Sequence, residues 1–171
     1  LTKEGANTLA LNVNSTRTGN TILNNGVLKL GSATAIGTTA QTLTLAGGTL
    51  QLATDSSVGA YNTVVSGTTT IISDRSSAGA GITHTLGTLS IGTNTLSITR
   101  GTNATSGTGN VTFGATTLTG NPTFTAGANT LLTLGALGDG GSVARTLTFD
   151  GTGTTTLGTN ATSLINGTLV N

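Results

Sequence analysis

Short runs in which apolar and polar residues alternate recur along the chain. They are Thr8-Leu9-Ala10-Leu11, Val27-Leu28-Lys29-Leu30, Thr49-Leu50-Gln51-Leu52, Thr88-Leu89-Ser90-Ile91, Val111-Thr112-Phe113 and Thr146-Leu147-Thr148-Phe149. A two-residue period sends Leu, Ile and Phe to one face of an extended segment and Thr, Lys or Gln to the other. No stretch sustains a helical period, so the pattern predicts an all-β chain. The expected inward set is Leu9, Leu11, Leu28, Leu30, Leu50, Leu52, Leu89, Ile91, Val111 and Phe113.

Most of these runs follow a glycine. The series is Gly5, Gly26, Gly48, Gly67, Gly87, Gly109, Gly127, Gly151 and Gly167, with successive differences of 21, 22, 19, 20, 22, 18, 24 and 16. A period near 20 predicts roughly eight similar coils, within the range of repeat architectures. Gly26, Gly48, Gly67, Gly87 and Gly109 are the expected turn glycines, because glycine tolerates positive φ and lets neighbouring backbones approach.

Two architectures carry such a pattern. Antiparallel hairpins would build a sandwich or a membrane barrel, whereas parallel stacking of successive coils would build a β-helix. Composition separates them. Tyr61 and three Phe are the only aromatics in 171 residues, and Trp is absent. A barrel wants aromatic girdles at both interfaces, and sandwiches usually bury Trp or Tyr. A β-helix needs only small aliphatic side chains stacked in columns. Threonine, about a quarter of the residues, favours a pleated surface. With one proline and a net charge of +1, the chain also lacks the profile of disorder.

Residues 1–52 resemble a known family. Leu1-Thr-Lys-Glu-Gly-Ala-Asn-Thr-Leu-Ala-Leu11 is similar to the "LTKxGxGTLTL" opening of the autotransporter-associated β-strand repeat. Thr18-Gly19-Asn20-Thr21 with Asn25-Gly26-Val27-Leu28-Lys29-Leu30-Gly31 resembles its "TGxTxxxxGxLxLG" continuation. Leu43-Thr44-Leu45-Ala46-Gly47-Gly48-Thr49-Leu50-Gln51-Leu52 resembles the "LTLxGGTLxL" that follows. Beyond these residues only spacing and composition agree, until Asn166-Gly167-Thr168-Leu169. The resemblance implies a right-handed parallel β-helix in the passenger region of large bacterial surface proteins, which act as stalks or adhesins. It transfers no catalytic residue.

Stacking is what makes such a coil stable, since each interior coil gains hydrogen-bond ladders and apolar contacts on both sides. Neither Leu1–Leu11 nor Leu164–Asn171 reads as a polar cap. Residues 1–171 are therefore read as a single solenoid segment of a longer array, or as one unit of an end-to-end fibre. Any export signal is expected to have been removed or to lie outside this sequence.

Candidate chemistry is sparse. His84, the only histidine, stands between Thr83 and Thr85 and is read as an exposed spacer on a strand or turn, because no second His or Cys exists to complete a metal site. Asp55 and Asp74 are separated by close to one period and could meet on adjacent coils, and paired carboxylates can hydrolyse glycosides. Such an enzyme also needs aromatic platforms, and Tyr61 alone cannot furnish them, so Asp74-Arg75 is read as a solvated loop. Asp139 and Asp150 fit no single-coil stack, and no Asp-rich repeat suggests Ca²⁺. Five Asn-x-Ser/Thr matches, at Asn14, Asn103, Asn110, Asn160 and Asn166, are what chance supplies in this composition, and asparagine is better read as a turn or ladder residue. Thr-x-Thr pairs at 42/44, 68/70, 83/85, 93/95, 123/125 and 146/148 suggest an ice-binding face, but their gaps are irregular.

No catalytic, cofactor-binding or metal-ligating residue is expected, and no cofactor. Nucleic acid is not an expected partner for a chain without a basic run, and no 18-residue apolar window marks a transmembrane helix. The expected function is a structural stalk or fibre segment on the outer surface of a bacterium, stacking end to end with itself. The alternatives are adhesion to host or matrix ligands through its flank, and ice binding through a threonine face.

Overall fold

The alternating runs form strands, and each strand pairs in parallel with the strand one coil later. The computed structural model describes residues 1–139 and 143–158, and the backbone of 168–170. Sheet 1 stacks Thr2–Lys3, Thr21–Leu23, Thr42–Leu45, Asn62–Val65, Leu89–Ile91, Thr116–Leu118 and Leu137–Gly138. Sheet 2 stacks Thr8–Leu11, Val27–Leu30, Thr49–Ala53, Thr69–Asp74, Thr95–Arg100, Thr123–Ala126, Thr146–Asp150 and Thr168–Val170. Sheet 3 begins later, with Thr83–Thr85, Gly109–Thr112, Thr130–Leu134 and Thr154–Leu157. A short pair, Gly79–Ala80 with Ala104–Ser106, stands outside these three. All described strand pairs are parallel, and no helix occurs among the described residues. The chain is a β-solenoid of about seven turns with a spacing near 22.

The expected parallel β-helix of roughly eight coils with a period near 20 is what forms, and the somewhat longer spacing comes from a change of cross-section. Thr8 pairs with Val27, Val27 with Thr49 and Thr49 with Thr70, giving ladder steps of 19, 22 and 21. Thr70 then pairs with Ser97 and Ser97 with Thr125, giving steps of 27 and 28. The extra length holds the first two strands of sheet 3, Thr83–Thr85 paired with Asn110–Thr112, together with the short pair Gly79–Ala80 and Ala104–Ser106. The steps then fall to 25 (Thr125 to Asp150) and 22 (Thr146 to Thr168) while sheet 3 continues. A two-sheet coil becomes a three-sheet coil.

The interior consists of columns. On sheet 2, Leu28, Leu50, Ile71 and Ile98 stack in register, each buried. Leu30 and Leu52 stack beside them. On sheet 1, Leu23, Leu45, Val65, Ile91 and Leu118 form the facing column, with Leu89 in the neighbouring one. On sheet 3, Val111 stacks beneath Leu132, and Phe113 is buried with them. Leu9 and Leu11, in the first coil, are only partly buried against the core. Phe124 and Phe149 stack at 5.8 Å between ring centroids.

The glycines resolve into several columns where one was expected. Gly5, Gly26 and Gly48 share φ near +70° and lie one above another at the turn between sheets 1 and 2. Thr69 takes over the next level, its hydroxyl donating to the carbonyls of Gly47 at 2.9 Å and Gly48 at 3.2 Å. Gly67 packs instead against Ala46. Gly87 starts a separate column with Gly114, Gly135 and Gly158, at the corner between sheets 3 and 1. Gly109 is the first residue of a strand, not a turn residue. Gly167 lies outside the described residues.

Candidate functional site

The polar residues that depart most from expectation gather where sheet 3 begins. His84, expected on the surface, is fully buried, because alternation within Thr83–Thr85 turns its side chain inward while both threonines face out. It occupies the foot of the Val111–Leu132 column. Its Nε2 lies 2.9 Å from the Asp74 carbonyl oxygen. A carbonyl only accepts, so Nε2 carries the proton and Nδ1 presents its lone pair, for which the structure has no hydrogen-bond partner. Burial, with Arg75 adding, lowers the His84 pKa below its ordinary value, against an opposing pull from the Asp74 carbonyl and carboxylate and the Leu52 backbone.

Asp74, expected in a solvated loop, ends a sheet 2 strand and is buried. Its carboxylate accepts from Gln51 Nε2 at 2.9 Å and from the Asn103 backbone N–H at 2.9 Å. Ser73 beside it is also buried and donates to the Asn110 carbonyl at 3.1 Å. Asp55 keeps to the surface, bridged to Arg75 at 3.0 Å. The hydroxyls of Ser76 and Ser77, with Arg75 adding, lower its pKa to about 2. The two carboxylates thus hold separate sets of partners and serve separate roles: one ties adjacent coils inside, the other ties a surface loop. Tyr61 offers no platform for a sugar, since it is fully buried and donates its hydroxyl to the Gly37 carbonyl at 2.9 Å.

One further feature escaped sequence reasoning. Lys3 is buried at the foot of the Leu23 column, pairing with Leu23 in register. Its ammonium donates to the carbonyls of Glu4, Gly5 and Asn25 at 2.6, 2.6 and 3.0 Å. Counting back from the turn glycine gave no signal: it aligns Lys3 with the exposed Asn24, whereas the structure pairs it with the buried Leu23. Asparagine side chains also join coils at strand entries. Asn20, Asn62 and Asn121 accept, through Oδ1, from the backbone N–H of Thr42, Thr88 and Thr146, each at 3.0 Å. Asn160 and Asn166 lie outside the described residues.

The outer face of sheet 3 is where threonine repeats at a fixed point of the coil. Thr85, Thr112, Thr133 and Thr156 form one outward column, and Thr83, Asn110, Leu131 and Thr154 the adjacent one. None of the eight is buried and none is charged. The irregular Thr-x-Thr gaps in the sequence arose because the pairs belong to different sheets: 42/44 to sheet 1, 123/125 and 146/148 to sheet 2, 83/85 to sheet 3.

Comparisons with known proteins find no matching family model, no similar curated protein and no similar solved structure.

Proposed function

We propose that this chain is a structural segment of an extracellular bacterial fibre or stalk, related to the autotransporter-associated β-strand repeat, with no catalytic role. The observation that supports this reading most is the in-register parallel ladder along a single axis. Sheets 1 and 2 run through the coils from Thr2 to Gly138 and from Thr8 to Val170, so the molecule extends by adding like to like. The repeat motif in residues 1–52 supplies the resemblance. Stacking coil on coil is a head-to-tail contact, and such contacts build open filaments.

Negative-stain imaging, fibre diffraction and light scattering of the purified chain test this. Thin fibres with an axial repeat of about 4.8 Å are expected. A chain that stays monomeric at high concentration overturns the fibre reading. Binding on a glycan array would move the assignment to adhesion.

A second reading, ice binding, is favoured by the outer face of sheet 3. Rungs about 4.8 Å apart and alternate residues about 6.6 Å apart set its threonine hydroxyls and methyls on an uncharged lattice, interrupted by Asn110 and Leu131. Inhibition of ice recrystallisation, lost when Thr112 and Thr133 become Lys, would establish it; no inhibition by the intact chain would dismiss it.

A further inference from the structure

Sheet 3 has a first strand, and something must cover its lower edge. Strand Thr83–Thr85 pairs upward with Asn110–Thr112 and has no strand beneath it among the described residues. The chain between Thr54 and Tyr61 lies there instead. The Thr85 backbone N–H donates to Ser57 Oγ at 2.8 Å, and Val58 is buried. His84 sits in the same strand, pointing into the core, with Nε2–H held by the Asp74 carbonyl and Nδ1 bare.

We propose that His84 is an acid-sensitive latch that keeps the lower edge of sheet 3 closed while its imidazole is neutral. The charged groups around it come from three sides. Sheet 2 contributes Asp74, whose two carboxylate oxygens are engaged by Gln51 and Asn103. Arg75 follows, committed through Nε to Asp55 and through Nη1 to the Ala80 carbonyl. The loop beneath contributes Asp55, held at the surface by Arg75, Ser76 and Ser77. From above, sheet 3 contributes only Val111 in the same column. No carboxylate oxygen of this set bonds to the imidazole.

Nδ1 has no hydrogen-bond partner and the ring is fully buried, so proton uptake there creates a cation shielded from water, a cost that the favourable Leu52 backbone and Asp74 do not offset. A conformation that hydrates the ring binds the proton better, so acid favours release of Thr83–Thr85 from the loop. The sign follows from burial. The folded pKa lies below the unfolded one, so stability is intact above the unfolded value and is lost as pH falls through it toward the folded value. Opening would bare a strand edge on the flank of the solenoid, a site where another β-strand could add. This inference stands independently of the stalk reading.

Because the chain has a single histidine, its imidazole NMR signal is unambiguous. The intact chain should show a titration below the ordinary range for His. The Thr85 amide should lose about tenfold protection from hydrogen exchange, after correction for intrinsic rates, as the ring titrates. His84→Val extends the Val111 column downward, and its Thr85 protection should not respond to acid. An imidazole titrating at its ordinary value without change at Thr85 overturns the proposal, as does an unaltered pH response in His84→Val. Should that variant fail to fold, the two measurements on the unaltered chain still decide.

Discussion

Leu50 and Thr49 are adjacent in sequence and opposite in surroundings. Leu50 is fully buried between Leu28 and Ile71, while Thr49 faces outward and is half-buried. Leu50→Asp should cost several kcal/mol, because it puts a charge in an apolar column with nothing to pair it. Thr49→Asp should cost far less. Melting temperatures of the two variants check this, and equal losses would mean the inward and outward faces are misassigned. The inward Leu, Ile and Val positions were legible because alternation and chemistry agree there. Lys3, Asp74 and His84 were not legible, because a polar residue at an inward position looks in sequence like a surface residue. What makes them tolerable is carbonyls, an amide and a backbone N–H, several of them from a neighbouring coil, which no local pattern reveals.

The turn glycines show the same limit for elements. Gly5 and Gly48 have the same φ of +70°, so alanine at either meets the left-handed penalty of about 1–2 kcal/mol. Only Gly48 has a coil directly below it: an added Cβ would stand 2.6 Å from the Gly26 carbonyl oxygen, whereas at Gly5 nothing lies within 4 Å. Gly48→Ala should therefore destabilise clearly more than Gly5→Ala in parallel denaturant titrations. Equal effects would mean that close stacking at this turn carries no cost. The glycine period pointed to the solenoid and its approximate pitch. It merged distinct columns because every corner of every coil favours glycine, and equal spacing cannot say which corner is meant. The insertion of sheet 3 was hidden for a related reason. Its strands, such as Val111-Thr112-Phe113, alternate as the others do, and the period alone does not count strands per coil.

At the scale of the whole molecule, the main contacts run within a coil or to the next one, as in other repeat architectures. Coil-to-coil hydrogen bonds lie along the solenoid axis, and the strands run across it. A load applied at the two ends thus pulls each ladder apart in line with its bonds, one coil at a time, instead of shearing a whole sheet at once. Each released coil adds its contour length to the tether. The coils are not alike: ladder steps of 19 to 22 would each yield roughly 70 Å, and the long steps of 27 and 28 roughly 95 Å. Single-molecule stretching should record both short and long extension steps from one chain, and one uniform step would contradict the change of cross-section. The two long coils then act as graduations along the axis, marking by their longer steps where the molecule is giving way.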